Sequence, residues 1–392
     1  MPKILRRHFL AGAASLASAA MVSGAPLAST GDESFMNNVP DPILSGKELP
    51  TFKFALEKSQ GKVIGDSYGK EATVVQLPIS KGIAGVSMRL EPGAMRELHW
   101  HATAAEWAFV MEGRVRTTVI DQKGNAETND FEPGDLWYFP RGHGHMLQCL
   151  GNQPCHFILI FDNGYFSEFG TFSISDWIGH SPKPLLSKNF GLAEATFEKF
   201  PKEEVYFARG PIPPEKAVPP LQGLKLPPET HKYRMLAQPP FHVFKGGREW
   251  RVDSTHFPIS KTVTGVVLDL DPGALRELHW HPTADEWQYV INGPVSVTMF
   301  GSHGRYRIEQ LEEGDAGYIP QGYGHSIENP GSKPARVLIG LNTGTYAAID
   351  LSQWIAGNPV DVLATNFSQP PELIEKFPHG DVFIADKNGP GK

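Results

Sequence analysis

Apolar and polar residues alternate with a period of two along most of the chain, in short runs rich in β-branched and aromatic side chains. Val86 to Leu90, Trp107 to Met111, Val115 to Ile120 and His156 to Phe161 are examples. Turn signals separate them: Glu91-Pro92-Gly93, Glu112-Gly113, Lys123-Gly124-Asn125 and Pro140-Arg141-Gly142-His143-Gly144. Turns recurring every ~8–12 residues between half-buried strands predict an antiparallel barrel or sandwich. Helical patterning begins only near Asp176, and again near Gln353.

The pattern occurs twice. Pro92 to Trp107 and Pro272 to Trp287 agree at 13 of 16 positions, an offset of 180 residues. Gly113/Gly293, Gly134/Gly314, Asp135/Asp315, Pro140/Pro320, His145/His325 and Gly164/Gly344 keep that offset. Beyond them Trp177 pairs with Trp354, and Glu198-Lys199-Phe200-Pro201 with Glu375-Lys376-Phe377-Pro378, at an offset of 177. The second half therefore lacks three residues between Gly344 and Trp354. Residues 210–230 hold seven prolines, which forbid a central strand or helix and mark a stiff linker. The expected organisation is a first domain over 31–209, the linker 210–230 and a second domain over 231–392.

Residues 1–30 form a separate segment. Lys3, Arg6 and Arg7 precede a small-residue and apolar stretch, and the first acidic residue is Asp32. Arg6-Arg7 followed by Phe9-Leu10 resembles a twin-arginine export signal, so a periplasmic or secreted protein is expected. No other run approaches the ~18 apolar residues of a membrane span. The chain carries 36 Lys+Arg against 43 Asp+Glu, and losing the basic leader makes it more acidic still. That balance argues against a nucleic-acid partner, which needs a basic face. The 40 Gly and 34 Pro fit a turn-rich folded chain. Two cysteines cannot make a disulfide framework, though Cys149 and Cys155 flank a turn from which they could pair in an oxidising compartment.

Candidate chemistry sits in the repeat. Strand alternation sends His99 and His101 to one face and Trp100 to the other. Glu106 on the next strand and His145, expected from across the barrel, complete three imidazoles and one carboxylate around a point. His279, His281, Glu286 and His325 repeat the set. A lone inward histidine is usually a satisfied core residue, but four potential ligands recurring at fixed spacing predict a metal in each half. Three nitrogens and one oxygen without thiolate suit Mn(II), Fe(II), Co(II), Ni(II) or Zn(II). Folding around the metal before export favours manganese, the weakest binder of the series. His143 is a rival ligand, but its counterpart Tyr323 shows that the repeat does not require it.

Gly-x5-His-x-His-x4-Glu-x6-Gly from Gly93 to Gly113 and Gly-x5-Pro-x-Gly-x2-His from Gly134 to His145 resemble the two cupin motifs. They recur from Gly273 and Gly314, so residues 50 to 385 resemble a bicupin of the oxalate decarboxylase family. The resemblance implies an all-β chain of two tandem cupin (double-stranded β-helix) barrels, each followed by short helices, with two Mn(II) per chain. It implies decarboxylation of oxalate to formate and CO2 with O2 as co-catalyst, and a homo-oligomer, hexamers being common in the family. Arg96 and Arg276, each three residues before the first ligand histidine, are the expected substrate-binding residues. Phe166-Ser167-Glu168-Phe169-Gly170-Thr171 is similar to the family's lid, which makes Glu168 the expected catalytic acid beside Arg96. Between Thr345 and Leu351 no counterpart of Glu168 is evident. Ile339, Gly340 and Leu341 stand where relatives often carry another carboxylate, so the second site looks incomplete for catalysis. Oxalate oxidase or another cupin dioxygenase, and a non-enzymatic metal- or ligand-binding bicupin, remain as alternatives.

Overall fold

The computed structural model describes residues 48–218 and 223–390. The export signal expected over residues 1–30 lies outside them. The described residues form four antiparallel sheets, two to each half. In the first half, Ser67–Ala72, Ala84–Leu90, Cys155–Phe161, Glu106–Glu112 and Asp135–Phe139 lie side by side. The second sheet carries Ala126–Phe131, Arg114–Ile120, Gly144–Leu150, Ala94–Trp100 and Phe172–Ser173. Thr264–Leu270, Leu275–Trp280, Glu286–Asn292 and Ala335–Leu341 repeat the plan in the second half. Short helices follow each barrel at Ile174–His180, Lys183–Phe190, Leu351–Ala356 and Val360–Phe367, close to where the patterning changed.

Chain order and sheet membership part at two edges. Lys53–Phe54, at the start of the chain's described part, pairs with Ala316–Ile319 of the second barrel. Lys232–Arg234, just past the proline run, pairs with Asp135–Phe139 of the first. Each half thus lends an edge strand to the other and covers an edge that would otherwise be open. The proline run is anchored along the first barrel: Arg116 donates to the carbonyls of Pro214 (2.8 Å) and Glu215 (2.9 Å), and Ala126 N to that of Lys225 (2.9 Å).

The barrels meet through a repeated pair of positions. A side chain at Gly85 would run into the Trp287 ring of the other half, and one at Gly265 into Trp107. Both tryptophans are fully buried. One irregularity positions the site. His145 faces His99 across the ladder, yet Leu147 faces Arg96, so the strand Ala94–Trp100 holds one extra residue between Arg96 and His99. The second barrel repeats this between Arg276 and His279. Strict alternation would put Arg96 and His99 on opposite faces. The bulge turns both into the barrel, where Arg96 is fully buried.

Candidate metal centres and the lid beside the first

The four predicted donors of each half come together. His99, His101, Glu106 and His145 are buried, with ligand atoms all within 4.8 Å of one another, and so are those of His279, His281, Glu286 and His325. One expectation needs correcting: His145 does not come from across the barrel. It sits on the strand next to His99, directly opposite it in the ladder, and Glu106 reaches in from the facing sheet. His143 stays out of the cluster, its Nδ1 bonded to the Pro140 carbonyl at 3.1 Å.

The donors fit a cation. His99 Nδ1 lies 2.6 Å from the Glu97 carbonyl and His145 Nδ1 2.9 Å from that of His143. A carbonyl only accepts, so each Nδ1 carries the proton and each Nε2 presents a bare lone pair. Nε2 of His99, His101 and His145 and Oε2 of Glu106 are buried with no hydrogen-bond partner, the pattern of ligands converging on an ion. Burial, with Arg96 and the other two imidazoles nearby, pushes the His99 pKa well below its usual value, which keeps the ring in its ligand form. In the second cluster His279, His281 and His325 all place Nδ1 on backbone carbonyls, at 2.7, 2.7 and 3.1 Å. There burial opposes ionisation of Glu286, but His325 and His281 outweigh it and hold the carboxyl well below the carboxylate range.

Each ligand glutamate is oriented by a donor that sequence reading missed. Trp137 Nε1 donates to Glu106 Oε1 at 2.6 Å, and Gln288 Nε2 to Glu286 Oε1 at 2.6 Å. Ala108 faces Trp137 across the ladder, whereas Gln288 faces Gly317. The donor has therefore moved from one strand to its partner, large and small exchanging places. A side chain at Gly317 would meet Gln288.

Glu168 stands directly over the first cluster, only 1% exposed. Its Oε1 accepts from Arg96 Nε at 2.8 Å, and its Oε2 lies 3.3 Å from His101 Nε2. Burial pushes its pKa up, but Arg96 and His101 prevail and bring it to about 2. Within the stretch that carries the three extra residues, Glu168–Gly170 form a single 3-10 turn. Ser167 Oγ caps it, accepting from Phe169 N at 3.2 Å while donating to Glu71 Oε2 at 2.8 Å. Glu71 also accepts from Glu168 N at 3.1 Å, so a carboxylate on the barrel wall grips the lid. Arg96 has further partners in the Thr171 hydroxyl and the Tyr206 carbonyl (3.4 Å), with its guanidinium 4.0 Å from the Tyr206 ring centre.

Among the described residues the second barrel has no such lid. Its arginine, Arg276, has an acidic partner in the stretch that seemed to offer none: Asp350 Oδ1 lies 2.7 Å from Nη1. Asp350 pairs with His279 as Ser173 pairs with His99, so by register it replaces the serine and not Glu168. Cys149 and Cys155 are both buried and free. No helix among the described residues is long and apolar enough to cross a membrane.

Comparison with known proteins agrees with this architecture. The Cupin family profile matches residues 59–198 and 234–374. The oxalate decarboxylase OxdC of Bacillus subtilis is 40% identical over 79% of this chain and 80% of its own. A probable oxalate decarboxylase of Arthroderma benhamiae is 35% identical over 86% of this chain and 83% of its own. A solved structure of the Bacillus subtilis enzyme, from work on its Mn(II) centres, superposes with a TM-score of 0.81 at 36% identity, covering 89% of this chain and 92% of that one.

Proposed function

The chain belongs to the cupin family and, within it, to the oxalate decarboxylases, and from that premise we propose how it turns oxalate into formate and CO2. The observation that carries the reading is the buried carboxylate of Glu168, touching both Arg96 and His101 at the mouth of the first cluster. His99, His101, Glu106 and His145 hold Mn(II) there, and His279, His281, Glu286 and His325 hold a second ion. The ion, when bound, polarises a substrate carboxylate and, with O2 as co-catalyst, supplies the transient one-electron oxidation that weakens the carbon–carbon bond.

The chain's own residues do the rest. Arg96 presents a planar fork that binds a carboxylate and favours its negative charge. Glu168, displaced from Arg96 by the substrate, accepts the acidic proton of hydrogenoxalate as CO2 departs. It then returns that proton to the carbon of the remaining fragment, and formate results. Atoms and charge balance, hydrogenoxalate giving formate and CO2, with no net oxidation. The closed lid, gripped by Glu71, keeps water and further O2 from the fragment until it is protonated. Without the acid the fragment would be oxidised, yielding a second CO2 and peroxide. Oligomeric assembly and export guided by residues 1–30 to the periplasm or beyond belong to the same reading.

The test is oxalate turnover by purified protein, stripped of metal and reloaded with manganese. Formate restored by manganese, without peroxide in proportion to CO2, supports the reading; peroxide as the main co-product, or no turnover with both clusters filled, refutes it.

A further inference from the structure

Each barrel lends the other an edge strand, and the residue just before that strand differs in kind between the halves. Lys53 pairs with Gly317 and Lys232 with Trp137, positions 180 residues apart, so Phe52 and His231 are counterparts. Their carbonyls accept from equivalent tyrosines, Tyr318 N at 2.9 Å and Tyr138 N at 3.2 Å. On the second barrel this place is packed shut. Phe52 is fully buried, and Leu49 is buried where a side chain at Gly301 would strike it beside the Tyr323 ring. On the first barrel His231 stands in place of Phe52, His143 in place of Tyr323 and Glu127 in place of Arg307, while Pro228, in place of Leu49, stays exposed. A cavity of about 290 Å³ remains where the first barrel, the end of the linker and the second barrel meet, with Asp121, Lys123, His143, Pro228, His231 and Lys261 in its walls. The fold needs histidine at neither place, since the second half builds the same junction from Phe52 and Tyr323.

Both imidazoles are held as metal ligands are. Burial would raise the Glu127 pKa, but hydrogen bonds from His231 and Thr230 bring it to about 2, so it is a carboxylate and only accepts. His231 Nδ1, 2.9 Å from Glu127 Oε2, therefore carries the proton, and in the neutral ring Nε2 presents a bare lone pair. That nitrogen is buried with no hydrogen-bond partner, on a side chain only 2% exposed. His143 Nδ1 donates to the Pro140 carbonyl at 3.1 Å, which leaves its Nε2 as the ligand atom. An oxygen acceptor on the far ring nitrogen is what orients metal-bound histidines, and His99 and His145 show the same arrangement. The His143 and His231 ring centres lie 5.9 Å apart, against 4.1 to 5.5 Å within the second cupin cluster. A small turn of the half-buried His143 ring brings both Nε2 atoms onto one ion.

We propose that His143 and His231 form a third metal site, separate from the cupin centres, for a divalent cation of the zinc and copper class. Two imidazoles with no carboxylate in the ligand set favour that end of the affinity series over manganese. The cavity has room for the waters that complete a tetrahedral shell. Bound there, the ion ties the strand that follows the linker to the wall of the first barrel and braces the junction of the two halves.

The test gives manganese-loaded protein a slight excess of zinc, removes unbound metal on a desalting column and counts both metals by mass spectrometry. One retained zinc per chain is expected with the manganese count unchanged, and zinc-edge X-ray absorption should show two imidazoles around it. His143→Tyr and His231→Phe, each introducing the residue the second half uses, should each abolish zinc retention and leave manganese in place. His143→Tyr keeps the backbone carbonyl that accepts from His145 Nδ1. No retained zinc, zinc retained by either folded variant, or zinc that enters only as manganese leaves, with three imidazoles around it, would each overturn the proposal. If His231→Phe fails to fold, the half-buried His143→Tyr position decides alone.

Discussion

Replacing Glu168 by glutamine removes a proton carrier while changing almost nothing else. The amide has the carboxylate's shape and keeps an oxygen to accept from Arg96 Nε, now 2.8 Å away. Arg96 also retains the Thr171 hydroxyl and the Tyr206 carbonyl, so its charge is not abandoned in the core. What goes is the group that takes a proton from substrate and returns it to carbon, a contribution typically worth 10²–10⁴-fold, or about 3–5 kcal/mol of barrier. Formate formation should fall by that factor. CO2 and peroxide should rise, because the unprotonated fragment meets O2. The assay is formate, CO2 and peroxide from one oxalate solution, with manganese counted per chain and thermal unfolding as a control on the fold. An unchanged formate yield at full metal occupancy would refute the role given to Glu168.

Three further outcomes follow from contacts away from the lid. Trp137→Phe keeps an aromatic side chain but deletes the indole N–H that orients Glu106, so manganese affinity of the first cluster should weaken on the order of 10–100-fold in a metal titration, with the second cluster unaffected. Gly85→Ala drives a methyl into Trp287 between the barrels and should destabilise by about 1–3 kcal/mol, seen as a lower midpoint in denaturant, while surface substitutions leave it in place. Glu57, part-buried between the halves, is pushed up by burial but held at about 2 by hydrogen bonds from His156 and Ser87 and by the charges of His156 and Lys70. Its folded pKa lies below its unfolded one, so its stabilisation is full above the ordinary carboxylate range and is lost as pH falls toward about 2. Glu57→Gln should therefore cost about 2 kcal/mol at neutral pH, discounting for its partial exposure, and nothing in strong acid, as read from unfolding midpoints across pH.

What the sequence displayed and what it concealed divide along physical lines. Fixed-spacing donors such as His99, His101 and Glu106 are legible because alternation is a local property of a strand. Their repetition 180 residues later removes the reading of a chance buried histidine. Glu168 was legible through the resemblance of Phe166 to Thr171 to the family's lid, together with the loss of register between the halves. Arg96 was not placed by alternation, since one extra residue in its ladder decides which way it points, and bulges leave no mark in periodicity. His145 was assigned to the wrong wall because which strands become neighbours depends on the order of the sheet, which spacing does not encode. Trp137, Gln288 and Glu71 went unnoticed for a related reason. Each acts through a partner on another strand, and its meaning appears only when the two barrels are compared position by position in space.

The central claim is that a carboxyl enclosed beside the first metal cluster ends the reaction at formate. Its most direct test follows the products of oxalate labelled at both carbons with a stable isotope, by nuclear magnetic resonance, in the presence of the manganese-loaded protein. Equal amounts of labelled formate and labelled CO2 are predicted throughout the reaction. Labelled CO2 alone, accompanied by peroxide, would contradict the account.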